Sequence, residues 1–174
     1  MLIDDFNHTL QIWLRELNKY DYKKIIEKPE ASSWSIGQVY MHLIDETNWY
    51  FDQINLCFDD LEHAEKEMSE SAKLMFQNNS FPDLQIKGDP IAAANISQPI
   101  DIPSLKLALE KLKDEANILW TKMELKKTFG KSKHPGLHYL SPKEWLQFAE
   151  MHMRHHLKQK NNIVAALNYK KNYL

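Results

Sequence analysis

The chain has 174 residues, 43% hydrophobic, 26% charged and 11% aromatic; a domain of that length buries roughly 70% of its unfolded surface, so a disordered chain is excluded and one domain spanning 1–174 is expected. Lys and Arg total 22 against 24 Asp and Glu, a formal charge of −2 with only Arg15 and Arg154 as arginines; that balance argues against a nucleic-acid partner and against multiple arginine clamps for phosphate. The lone Cys57 forms no internal disulfide, the acidic start Asp4-Asp5 lacks a secretory pattern, and no run nears the ~20 apolar residues of a membrane span, so a cytoplasmic protein with no membrane partner is expected.

Only four glycines punctuate the chain, and glycine poverty favours helices. The first predicted helix covers about Asp5 to Tyr20, with Phe6, Leu10, Trp13, Leu14, Leu17 and Tyr20 on one face. The second starts at a capping box, Ser35 with Gln38, and carries Val39, His42, Leu43, Glu46, Trp49, Tyr50, Gln53 and Ile54. It is expected to break near Asp59 and resume to about Phe76. Residues 78–103 hold Pro82, Gly88, Pro90, Pro99 and Pro103, the composition of a long crossover or functional loop.

A third helix is expected from Ser104, with Leu105, Leu109, Leu112, Ala116, Leu119, Trp120 and Met123 inward, fading at Lys126-Lys127. A loop over 128–140 follows. Ser141, Pro142 and Glu144 then open the last helix as N-cap, N1 and N3, and it should reach about Asn168. Four long amphipathic segments and one long crossover define an all-α four-helix bundle.

The last helix carries the specific signal. Its inward stripe runs through Trp145, Phe148, Ala149, Ile163, Ala166 and Leu167, and stepping from Ala149 to Ile163 lands on His152, His156 and Gln159. Two imidazoles at i and i+4 lie ~5–6 Å apart on one face, the spacing that chelates a divalent metal. The competing reading is a pair of core histidines satisfied by ordinary hydrogen bonds. On the second helix His42 can complete a three-histidine set, which leaves coordination positions open as a catalytic site requires. Glu46, one turn on, reads as the candidate catalytic carboxylate, preferably an acceptor behind a ligand ring, alternatively a fourth ligand or a surface partner of a lysine. His155 points about 100° away from His156 and reads as a rim residue. His134 and His138 are placed to border a site mouth, and His8 and His63 read as surface residues. No Glu-x-x-His, no His-Glu-x-x-His and no phosphate-cradling glycine loop is present.

Two stretches, 34–43 (Trp34 through His42 to Leu43) and 152–159 (His152 through His156 to Gln159), resemble the DinB-like superfamily, which includes YfiT-type proteins, and 135–145 is similar to the segment before the last helix in its DUF1569-type branch. The resemblance implies a four-helix bundle with one metal-binding histidine eight positions after a tryptophan, as His42 follows Trp34, and an H-x-x-x-H pair on the last helix, as in His152 and His156. It implies a divalent ion, zinc or nickel, a small-molecule substrate and a homodimer. Relatives act as metal-dependent hydrolases or as transferases for low-molecular-weight thiols, so water or a thiol is the expected nucleophile. The alternative is a non-catalytic, dimeric metal-binding or stress-related bundle. His138 departs from the family pattern, since many relatives carry Gly there.

Overall fold

A computed structural model of the protein describes residues 1–59, 61–82 and 95–173. Its elements are α1 (Leu2–Leu17), α2 (Tyr22–Ile26), α3 (Ile36–Asp59), α4 (Glu70–Gln77), α5 (Ile102–Leu125), a hairpin of β1 (Ser132–His134) and β2 (His138–Leu140), and α6 (Pro142–Tyr173).

Local chemistry sets the boundaries. Ser35 and Gln38 form a reciprocal capping box: the Gln38 amide donates to Ser35 Oγ and the Ser35 amide to Gln38 Oε1, both at 3.1 Å. Ser141 and Glu144 repeat the motif at α6, where the Ser141 amide donates to Glu144 Oε2 at 2.7 Å. Other boundaries depart from expectation. α1 stops at Leu17 and not Tyr20, because Asp21 caps a further short helix, accepting from the Lys24 amide at 2.8 Å. The stretch after Asp59 does not resume directly: turns intervene, and Ser69 caps α4. α5 starts at Ile102 because Asp101, not Ser104, is the cap, with its carboxylate accepting from the Ser104 amide at 2.7 Å. The expected loop over 128–140 contains the hairpin, and α6 runs past Asn168 to Tyr173. Ala166 is exposed, so the inward stripe of α6 passes through Lys160, Ile163 and Leu167 instead.

Contacts define the topology. Thr9, Trp13 and Glu16 of α1 bond Glu150, Met153 and Lys160 of α6 in rising order, so these helices run parallel. His42 meets His156 while Tyr50 stacks on Trp145, so α3 opposes α6. The start of α3 meets Pro99 just before α5, and the Lys126 ammonium after α5 reaches the Phe58 carbonyl at the end of α3, so α3 and α5 run together. α6 and α5 each pack against both α1 and α3. Parallel α3 and α5 force the connecting chain to return along the bundle, which is the expected crossover. Its far end is tied to the head of α3, where Gln38 Nε2 donates to the Ile96 carbonyl (2.6 Å), and to α2, where the Tyr22 hydroxyl donates to the Pro99 carbonyl (3.0 Å). Residues 83–94 of the crossover lie outside the described residues.

Phe6, Leu10, Trp13, Tyr40, Leu43, Ile54, Leu109, Leu119, Trp145 and Ala149 are fully buried between the four long helices. Buried aromatic polar atoms find acceptors: the Tyr40 hydroxyl donates to the Trp13 carbonyl at 2.9 Å, and Trp145 Nε1 to Ser132 Oγ at 2.7 Å. Cys57 is a buried free thiol packed against the hairpin. Among the described residues no helix is long and apolar enough to cross a membrane.

Candidate metal centre

The antiparallel packing of α3 on α6 brings His42 to His152 and His156. One potential ligand atom from each lies within 4.8 Å of the others. Ring centroids are 4.3 Å apart for His152 and His156, 4.7 Å for His42 and His156, and 5.3 Å for His42 and His152. His152 and His156 are buried, and His42 is half-buried, so the cluster opens on the α3 side.

Hydrogen bonding assigns the nitrogens. His156 Nδ1–H donates to Gln159 Oε1 at 2.6 Å, which leaves a lone pair on Nε2. That lone pair lies 2.9 Å from His152 Nε2. The remaining nitrogen of His152, Nδ1, is buried and has no hydrogen-bond partner. Ordinary polar contacts therefore do not satisfy this pair: one nitrogen is orphaned whichever tautomer His152 adopts. With the His152 proton on Nε2 the 2.9 Å contact is an N–H···N hydrogen bond; with it on Nδ1 two lone pairs face one another, and a shared cation can accept one from each. Two nitrogens about 2.0–2.1 Å from one ion stand about 2.9–3.4 Å apart, so the separation fits.

Burial is the first cause holding all three imidazoles neutral. His156 is pushed down to about 3 by desolvation and then by His42, and His152 falls well below the ordinary histidine range for the same first reason. Desolvation also lowers His42, opposed by the charges of Glu46 and Asp45. Neutral imidazole is the metal-ligating form.

Glu46 is half-buried, and its Oε2 accepts from the Tyr50 hydroxyl at 3.0 Å. The acceptor for the His156 ring is Gln159 and not Glu46; it lies on the stripe identified in the sequence but with no role assigned there, and its i+3 spacing from His156 was the available signal. His155 sits on the rim, half-buried against the Phe81 ring. His138 is exposed and has φ 69°, a left-handed conformation where glycine is at ease. His63 is not a plain surface residue: its ring packs on Tyr139 at 4.8 Å.

Aromatic rings surround the cluster. Trp34 lies 5.1 Å from His42, Tyr50 is edge-on to His152 at 5.5 Å, and Phe148 is near-parallel to His152 at 6.3 Å. Phe81, from the crossover, packs on Phe148 at 5.3 Å; no periodic signal marked it.

No protein-family model matches the chain, and no curated protein matches it in sequence. Among solved structures it is similar to YfiT from Bacillus subtilis, described as a probable metal-dependent hydrolase with an unusual four-helix bundle topology. The chain has the fold of YfiT. The two share 14% identity over 97% of this chain and 87% of that one, with a TM-score of 0.60. The resemblance read from the two histidine motifs therefore holds at the level of the fold.

Proposed function

We propose that this protein is a metal-dependent enzyme in which His42, His152 and His156 hold a divalent cation, zinc or nickel. The observation that carries the reading is the convergence of three neutral imidazoles from two helices, with His156 Nε2 facing His152 Nε2 at 2.9 Å. An all-imidazole donor set suits zinc and nickel over magnesium or calcium. Three protein ligands leave positions for a small molecule, and the half-buried His42 side is where it would enter. A divalent ion so held supplies Lewis-acid chemistry, lowering the pKa of water or of a thiol.

The chain's own residues have separable roles in this proposal. Gln159 orients His156 and fixes its tautomer. Glu46, positioned by the Tyr50 hydroxyl, takes up the proton of the nucleophile. The surrounding aromatic rings exclude bulk water. Hydrolysis is the favoured reaction, supported by the fold shared with YfiT; transfer to a low-molecular-weight thiol is the alternative, supported by the motif resemblance. We also propose that the protein works as a homodimer on a small molecule, with light scattering as the check on assembly.

Elemental analysis of protein purified without a nickel column tests the site. One divalent ion per chain is expected, lost in the variant carrying His42→Ala, His152→Ala and His156→Ala. A triple variant that still copurifies with one ion per chain overturns the assignment. Ester hydrolysis and thiol conjugation, each with and without chelator, then separate the two reactions.

A further inference from the structure

The outer face of α5 carries an apolar seam that stands in solvent. The inner face packs into the bundle through Leu105, Leu109, Leu112, Ala116, Leu119 and Met123. At about 100° per residue, Leu107, Lys111, Asp114, Ile118 and Leu125 fall within an arc of about 60° on the opposite side. All five are exposed, Leu107 by 54%, Ile118 by 55% and Leu125 by 79%. Their spacing alternates between four and three residues once Ser104 and Thr121, also exposed, are included. That is the repeat of a coiled-coil seam, by which one helix packs on another.

The order of residues along the seam selects its partner. Consider an antiparallel copy of α5 about a two-fold axis at the level of Leu112 and Lys113. It brings Leu107 opposite Ile118 and Lys111 opposite Asp114, each contact occurring twice. Ser104 then meets Thr121, hydroxyl to hydroxyl. Sliding the copy by one heptad sets Leu107 against Lys111 in one direction and Asp114 against Ile118 in the other. A parallel copy faces Lys111 with Lys111 and Asp114 with Asp114. Only the first register matches apolar to apolar and cation to anion along its length. It also carries Ile100, just ahead of α5 and 85% exposed, to the level of Leu125. Leu125 borders a groove of about 580 Å³ between the ends of α3 and α5, with Asn55 and Phe58 on its α3 wall. The isoleucine therefore arrives where the surface is concave.

We propose that α5 is the homodimer interface, its seam packed antiparallel on the same seam of a second copy, with Lys111 paired to Asp114 on either side of the axis. The inference rests on the homodimer reading and names its surface; the three histidines lie on α3 and α6 and take no part in it. Sedimentation equilibrium of the zinc-loaded full chain measures the dimer dissociation constant. Lys111→Asp and Asp114→Lys each place like charges across the axis twice, and each should raise that constant about tenfold or more. The double variant restores both pairs and should return to within about threefold of wild type. Equal amounts of the two single variants should form mixed dimers more readily than either forms its own. Ile118→Asp sets a carboxylate against Leu107 twice and should be monomeric where wild type is dimeric, at wild-type helix content and zinc stoichiometry. A dimer unmoved by both single swaps overturns this interface and leaves the homodimer reading standing, as does a double swap that loses as much as the two singles together. If a charge variant misfolds, Ile118→Asp gives an independent reading, and a dimer there also overturns the interface. Wild type still monomeric at about 0.1 mM overturns the interface and the homodimer together. Chains that take up no zinc yet follow the swap pattern lose the metal reading alone.

Discussion

Gln159 decides which nitrogen of His156 faces the cluster. Its Oε1 takes the Nδ1 proton at 2.6 Å, so the opposite nitrogen presents a lone pair. In Gln159→Leu the ring loses that constraint, and metal affinity should fall about 10- to 100-fold, as for other acceptors behind ligand histidines. Competition with a fluorescent chelator measures it, and an unchanged affinity would remove Gln159 from the site. The His156 ring and that of His134 set a pH response. Burial holds His134 at about 4 and His156 at about 3, against 6.5 for an ordinary histidine. Above pH 6.5 neither form is protonated, and these groups contribute nothing. Below it the unfolded chain binds protons that the fold refuses, so stability is lost as pH falls toward those depressed values. The urea midpoint of metal-free protein should therefore drop between pH 7.5 and pH 5, and less steeply in His134→Phe. A midpoint independent of pH over that range contradicts the burial of these rings.

At the scale of elements, α6 is bound to its neighbours by unlike devices on its two faces. Toward α3 it offers histidines and aromatic rings; toward α1 it offers Glu150 to Thr9 at 2.7 Å and Lys160 to Glu16 at 2.6 Å. Lys160 is 1% exposed, and its hydrogen bond is the first cause lowering the Glu16 carboxyl. Removing one partner strands the other, and the cost depends on which is stranded. Glu16→Ala leaves an ammonium inside the bundle and should cost about 3 kcal/mol. Lys160→Met leaves a carboxylate that is still 20% exposed and retains Lys19, and should cost distinctly less. Urea unfolding of both variants and of the double variant checks the order, and single losses that simply add in the double variant would show that the pair is not coupled. Lys160 was not singled out in the sequence, because a lysine on an inward stripe shows its burial only when an acid on another helix is placed opposite it. The capping boxes at Ser35 and Ser141, by contrast, were legible because every partner lies within three residues.

Across the whole molecule, the parallel pair α3 and α5 requires a chain that crosses the bundle and docks back on the head of α3. Gly37 is the point of closest approach: a Cβ there would stand 2.7 Å from Pro99 and 2.8 Å from Ile25. Neither a proline ring nor a buried isoleucine can swing aside. Gly37→Ala should therefore cost about 1–3 kcal/mol in urea unfolding, and a loss of metal content alongside it would show that docking of the crossover also positions the nearby His42. A neutral result would place the crossover farther from α3. Helix class, caps and the His152/His156 pair follow from spacings within a few residues of one another, where backbone geometry alone fixes which side chains are neighbours. The approach of His42 to that pair, the Glu16–Lys160 bond, the Phe81 contact and the contact of His134 with Trp49 join residues far apart along the chain. Periodicity says which face a residue occupies but not which helix lies opposite; only the packing of α3 and α1 on α6 supplied those partners.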